Sequence, residues 1–131
     1  MNIFKMSEVV FALTFKDFQN SESDFPFTFT KHTNRDFKWD FPYRGTATYY
    51  VAFNKNKLIA VAAIAENHIF LFEVNKSLRH KGYGTKFFKK LLKDEQFSHL
   101  TLYYLDLNAK SFWQKMGFVS EKDLLMIWIK Q

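Results

Sequence analysis

Arg79-His80-Lys81-Gly82-Tyr83-Gly84-Thr85 is the stretch that fixes the reading of this chain. It follows His68 to Val74, a run of β-branched and aromatic residues that reads as a strand. After it, Gly84 to Asp94 carries Phe87, Phe88, Leu91 and Leu92 on one helical stripe, with Lys86, Lys89, Lys90 and Lys93 on the other. Strand, turn and helix in that order form an anion cradle. Glycine lets the backbone approach a ligand closely and reach positive φ. The first N–H groups of a helix lack intrahelical partners and sit at the positive end of its dipole. Thr85 adds a hydroxyl donor, and Arg79 and Lys81 add charge. The plainer alternative is an ordinary glycine turn. Two of the chain's four glycines fall in this one turn, which favours the cradle.

Upstream, Thr48–Phe53 and Lys57–Ala65 are two strand-like runs, and Asn54-Lys55-Asn56 between them suits a hairpin because asparagine tolerates left-handed geometry. The tight Glu66-Asn67 connection leads into His68. Downstream, Leu100–Leu105 reads as a strand, and Asn108–Met116 as a short helix stopped by Gly117. The unbroken apolar run Leu124–Ile129 predicts a buried last strand. Near the N-terminus Ser7 can cap a helix with Phe11, Phe15 and Phe18 on one stripe. Val9–Phe15 also reads as a strand; the helix is preferred. Phe25, Phe27 and Phe29 alternate with Pro26 and Thr28 as a short extended piece would, and Lys31–Arg44 reads as a long loop or irregular helix. The order predicts an α/β (α+β) fold, a mixed sheet with helices on its faces.

The turn, followed one helix and one strand later by Ala109-Lys110-Ser111-Phe112-Trp113-Gln114-Lys115-Met116-Gly117-Phe118, resembles the GNAT acetyltransferase superfamily. That family carries Arg or Gln, two residues, Gly, one residue, then Gly or Ala, and further on an aromatic pair and Gly-Phe. The resemblance covers about residues 47–130 as a coenzyme-binding core. It implies a mostly antiparallel central sheet flanked by helices and splayed between its fourth and fifth strands. Residues 1–46 form a divergent N-terminal part of the same single domain, with an expected acceptor-side loop at Lys31–Arg44; the alternative there is a solvated loop. The resemblance further implies acetyl-CoA as cosubstrate, lying where His68–Val74 parts from Leu100–Leu105. Backbone groups around Phe72, Glu73 and Val74 would pair with the pantetheine arm. Amides from Arg79 or His80 through Lys81, Gly82, Tyr83 and Gly84 to Thr85 would hold the pyrophosphate. Asn108 and Trp113 would be further coenzyme contacts.

The implied reaction is direct attack of a primary amine on the thioester in a ternary complex. An amine with a pKa of about 10.4 is neutral at pH 7 in only about one molecule in 2,500, so a base is useful. In one branch of the family a glutamate eleven residues before the Arg or Gln serves. Counting back from Arg79 lands on His68, a side chain that titrates near neutrality. Glu73 is the second candidate, but strand alternation puts it on the opposite face from His68 unless a bulge intervenes. Many members place a tyrosine where this chain has Trp113, and indole is no practical acid. Tyr103 or Tyr104 would then protonate the leaving thiolate, or water would; Tyr104 is the chosen candidate.

Composition bounds the rest. The 131 residues are 47% hydrophobic and 20% aromatic, with 17 phenylalanines, enough for a core of two or three layers. The absence of cysteine excludes disulfides, thiolate metal sites and a cysteine nucleophile, and is compatible with a cytoplasmic location. No apolar run approaches a membrane span, and His32, His80 and His99 have no carboxylates at metal-ligand spacing, so no membrane and no metal are expected. The +6 charge suits an anionic partner. A CoA-binding regulatory module without catalysis is the first alternative, motivated by Trp113. A tRNA- or nucleic-acid-engaging acetyltransferase, using Lys38, Trp39, Tyr43, Arg44 and the lysine face of the 84–94 helix, is less favoured. A monomer or a homodimer is expected.

Overall fold

The computed structural model of the protein describes residues 1–15, 27 and 47–131. Phe18, Phe25, Phe29, His32 and the whole Lys31–Arg44 stretch, with Lys38, Trp39, Tyr43 and Arg44, lie outside the described residues. Seven strands form one sheet in the described part: β1 (Asn2–Ser7), β2 (Thr48–Asn54), β3 (Lys57–Ala65), β4 (His68–Val74), β5 (His99–Tyr103), β6 (Val119–Ser120) and β7 (Leu125–Ile129). Their spatial order is β1-β2-β3-β4-β5-β7-β6, antiparallel throughout except for the parallel pair β4 and β5. Three helices accompany them, α1 (Glu8–Thr14), α2 (Tyr83–Glu95) and α3 (Leu107–Lys115). The mixed sheet with helices is the architecture expected from the order of patterns.

Local chemistry accounts for each joint. Ser7 caps α1, its hydroxyl accepting from the Val10 N–H, and the helix buries Phe11 and Phe15. The β2–β3 hairpin turns at Lys55, whose φ of 59° carries the left-handed step that an asparagine was expected to take. At the next turn Glu66 and Asn67 both adopt positive φ, 50° and 62°, the pattern of a tight two-residue hairpin. Asp106, rather than a residue inside the expected 108–116 span, caps α3 through Ala109 N–H at 2.7 Å. α3 ends as glycine at C′ predicts: Gly117 has φ 102°, its N–H bonds Gln114, the Phe118 N–H bonds Trp113, and the rings of Phe118 and Trp113 meet at 5.1 Å.

Two apolar cores flank the sheet. On one face α2 and α3 cover a cluster that runs across both halves, from Tyr50, Ala60 and Ala62 through Phe87, Phe88 and Leu91 to Leu100, Leu102, Trp113 and Met126. On the other, α1 and Phe27 cover Tyr49, Val51, Val61, Ala63 and Ala65, a cluster with no residue from β5, β7 or β6. This corrects the expectation of a buried last strand. Met126 is fully buried, but Ile129 is more than half exposed because β7 is covered on one face only among the described residues, and Leu124, also more than half exposed, lies just before the strand. Glu95 at the end of α2 accepts from Lys5 at 3.0 Å and from Tyr50; burial first and that carboxylate second push the Tyr50 hydroxyl up to about 12.

Candidate functional site

The site begins where β4 and β5 part. Their only registered pair is His68 with Thr101, joined by the Thr101 N–H to the Asn67 carbonyl at 2.9 Å. From Ile69 onward β4 has no registered partner on β5, so the backbone of Phe72, Glu73 and Val74 borders an open notch rather than a ladder. The floor of the notch is aromatic. The Phe72 ring lies 5.3 Å from Phe87, 4.9 Å from Trp113 and 5.8 Å from Phe112.

At the open end β4 runs into the glycine turn. Asn75 pins that turn: its buried amide donates to the Leu58 carbonyl at 2.8 Å while its oxygen accepts from the N–H and hydroxyl of Ser77. The sequence reading missed Asn75, although an Asn followed two residues later by Ser is a recognisable side-chain turn. A short 3-10 turn, Lys76–Leu78, follows. Arg79 then folds back on the strand end, Nε to the Val74 carbonyl and Nη2 to Glu73, both at 3.3 Å. His80 and Gly82 take φ of 63° and 85°, two left-handed steps in three residues.

α2 starts at Gly82 with no side-chain cap, and Lys86 makes its first backbone bond, to the Gly82 carbonyl. The N–H groups of Tyr83, Gly84 and Thr85 therefore keep their donor capacity at the positive end of a four-turn helix. Lys81 and His80 are exposed beside them, and the Lys86 ammonium sits 5.7 Å over the Tyr83 ring. Gly84 serves a different purpose from Gly82. A Cβ there would meet Phe112 and Val74 at 3.3 Å, so its smallness lets α2, α3 and β4 close together. This donor set suits an anionic chain lying in the notch.

His68 stands at the closed end. Its Nδ1 lies 2.7 Å from the Thr101 hydroxyl, and its ring contacts Phe70 at 4.5 Å and Tyr103 at 5.1 Å. Burial disfavours the imidazolium and lowers its pKa from 6.5. Glu73 shares its face after all. Ala63 pairs with Leu71 and Ile64 with Ile69, so Phe70 is an extra residue, a bulge that rephases β4. His68 then opposes Ala65 and Glu73 opposes Val61, both on the α1 face. The bulge that the alternation argument required is present. Glu73 is already engaged by Arg79. Tyr103 lies on the His68 face, whereas Tyr104 packs on the α2–α3 face, its ring 5.2 Å beneath the Lys110 ammonium. Trp113 is buried among Phe72, Phe88, Phe112 and Phe118, and Asn108 occupies the first turn of α3.

Among the described residues no three His, Asp or Glu side chains gather as a metal would need, and no helix is long and apolar enough to cross a membrane. Against known proteins, the profile described as "Acetyltransferase (GNAT) family" matches residues 15–118, reaching further towards the N-terminus than the motifs do. Comparison with curated sequences gives no match. Among solved structures, the ribosomal-protein-S18-alanine N-acetyltransferase of Escherichia coli is 13% identical, with 98% of this chain and 94% of that one covered and a TM-score of 0.57. The PaiA N-acetyltransferase of Thermoplasma acidophilum, solved in complex with coenzyme A, is 22% identical over 63% of this chain and 60% of its own, with a TM-score of 0.52. A GCN5-related N-acetyltransferase from Rhodopseudomonas palustris is 19% identical over 64% of this chain, at a TM-score of 0.53, and only 62% of its own length is spanned.

Proposed function

Because this chain belongs to the GNAT acetyltransferase family, we propose that it transfers the acetyl group of acetyl-CoA to a primary amine by direct attack in a ternary complex. The observation that carries the proposal is the uncapped N-terminus of α2 at the open end of the notch between β4 and β5. The amides of His80 to Thr85 would take the pyrophosphate, with Arg79 and Lys81 supplying charge. The backbone of Phe72 to Val74 that borders the notch would take the pantetheine arm, the Val74 carbonyl being shared with Arg79, and Asn108 and Trp113 would border its thioester end. When bound, acetyl-CoA supplies an electrophilic carbonyl with a thiolate leaving group.

The chain's own residues then have the proton to manage. As the amine nitrogen bonds to the carbonyl carbon and the carbon–sulfur bond breaks, the ammonium proton passes to His68, whose burial keeps it neutral near pH 7. Glu73 is the second candidate on the same face, through a carboxylate shared with Arg79. Tyr104 or water returns a proton to the thiolate. The test is release of CoA thiol when acetyl-CoA is offered with a panel of amines: acyl transfer to at least one is expected. Tight acetyl-CoA binding with no turnover on any amine would instead favour a coenzyme-binding regulatory module.

Trp113 motivates that second reading, since a buried indole gives the thiolate no acid. Trp113→Tyr is expected to leave turnover within the same order of magnitude, the proton coming from elsewhere. Activity that first appears in the tyrosine variant would mark the native protein as the binding module.

A further inference from the structure

We infer that Thr101 is the positioning residue for His68, holding the imidazole in the Nδ1–H tautomer so that its lone pair lies on Nε2; the inference rests on the reading of His68 as the base. The Thr101 oxygen is 2.7 Å from Nδ1, and Nε2 has no hydrogen-bond partner among the described residues. Nε2 is thus the nitrogen left to meet an amine proton. A neutral imidazole accepts at only one nitrogen, and the hydrogen bond of the other decides which. For Nε2 to be basic, Nδ1–H must donate and Thr101 Oγ1 must accept. The half-buried Thr101 hydroxyl keeps its own proton for solvent.

Thr101 is well fixed for this task. Its backbone forms the sole rung between β4 and β5, so its side chain moves with the apex of the notch. Phe70 and Tyr103 hold the imidazole plane, and Phe70 is the bulged residue that sets the phase of His68. Among the described residues the titratable groups on this face are Tyr103 and His99 on β5, Glu73 on β4, and Tyr49 on β2 with Glu8 of α1 beside it. The carboxylate of Glu73 is bound to Arg79, and His99 bonds Asn67 and Ser98. Among the described residues no carboxylate pairs with His68, so the threonine does the orienting that an acid does for many catalytic histidines.

The test is long-range proton–nitrogen correlation NMR on the full chain labelled with 15N-histidine, which reads the tautomer without knowledge of the acceptor. Wild type and Thr101→Ser are expected to show a protonated Nδ1 and a bare Nε2 on His68, and Thr101→Val to lose that pattern. In turnover, Thr101→Val should lower kcat about tenfold with KM for acetyl-CoA unchanged, and Thr101→Ser should restore it. A wild-type His68 protonated on Nε2, or an unchanged spectrum in Thr101→Val, would overturn the inference. Full turnover in His68→Gln would remove the base reading and the kinetic expectation with it, while the nitrogen spectrum still decides the tautomer.

Discussion

Replacing His68 with glutamine is expected to lower kcat by about 10²–10⁴-fold, the usual contribution of a positioned general base. Glutamine keeps a polar side chain of similar reach but cannot take a proton from an ammonium. The pH profile carries the sharper signature. His68 must be neutral to act, and burial places its pKa below 6.5, so the acid limb of kcat/KM in the wild type should fall below that value. The limb should vanish in His68→Gln and persist in Glu73→Gln. The reverse pattern would transfer the role to Glu73. The same burial has a stability consequence whose sign is fixed. Between the lowered pKa and 6.5 the unfolded chain binds the proton more readily, so His68 costs stability as pH falls through that window and nothing above it.

Phe88→Ala is expected to destabilise the fold by about 3–5 kcal/mol, read as a lower urea midpoint with an unchanged slope. A domain of this size is commonly stable by only about 5–15 kcal/mol, so the loss is a large fraction of the whole. The Phe88 ring is 1% exposed and meets Trp113 at 5.2 Å, Phe118 at 5.7 Å and Phe72 at 6.1 Å. Those partners come from α3, the segment after it and β4, and none can collapse into the vacated volume without moving the others. A cost below about 1 kcal/mol would show that this cluster is not the packed junction its geometry describes.

The parts of this architecture with strong periodicity could be read directly. β3 and β4 span the same Lys57–Ala65 and His68–Val74 runs that the sequence marks as strand-like, and the buried stripe of α2 is the Phe87, Phe88, Leu91 stripe of the sequence. β1 was missed because only Ile3 and Met6 turn towards the interior of this edge strand, too few to make a pattern. β6 has two residues and no pattern at all. The site divides the same way. The glycine turn was legible because a helix N-terminus without a side-chain cap is written in the residues themselves. The shared face of His68 and Glu73 was not, since a bulge at Phe70 is a fact of pairing with β3 and leaves no mark in the chain's own alternation. The family profile places the chain in the GNAT acetyltransferase family, and the panel assay tests its activity and its acceptor.

Among the described residues, one backbone rung, the side-chain bonds of His68 to Thr101 and Asn67 to His99, and a core on a single face join the β5–β7–β6 half of the sheet to the β1–β4 half. In terms of cooperativity, the two halves share a sparsely bonded seam, and the place proposed for the coenzyme is along it. A ligand lying there would bond both sides at once, adding to the folded state about 2.7 kcal/mol at a hundredfold excess over its dissociation constant. The cleft would thus be closed by the molecule it binds, and substrate loading and structural consolidation would be one event.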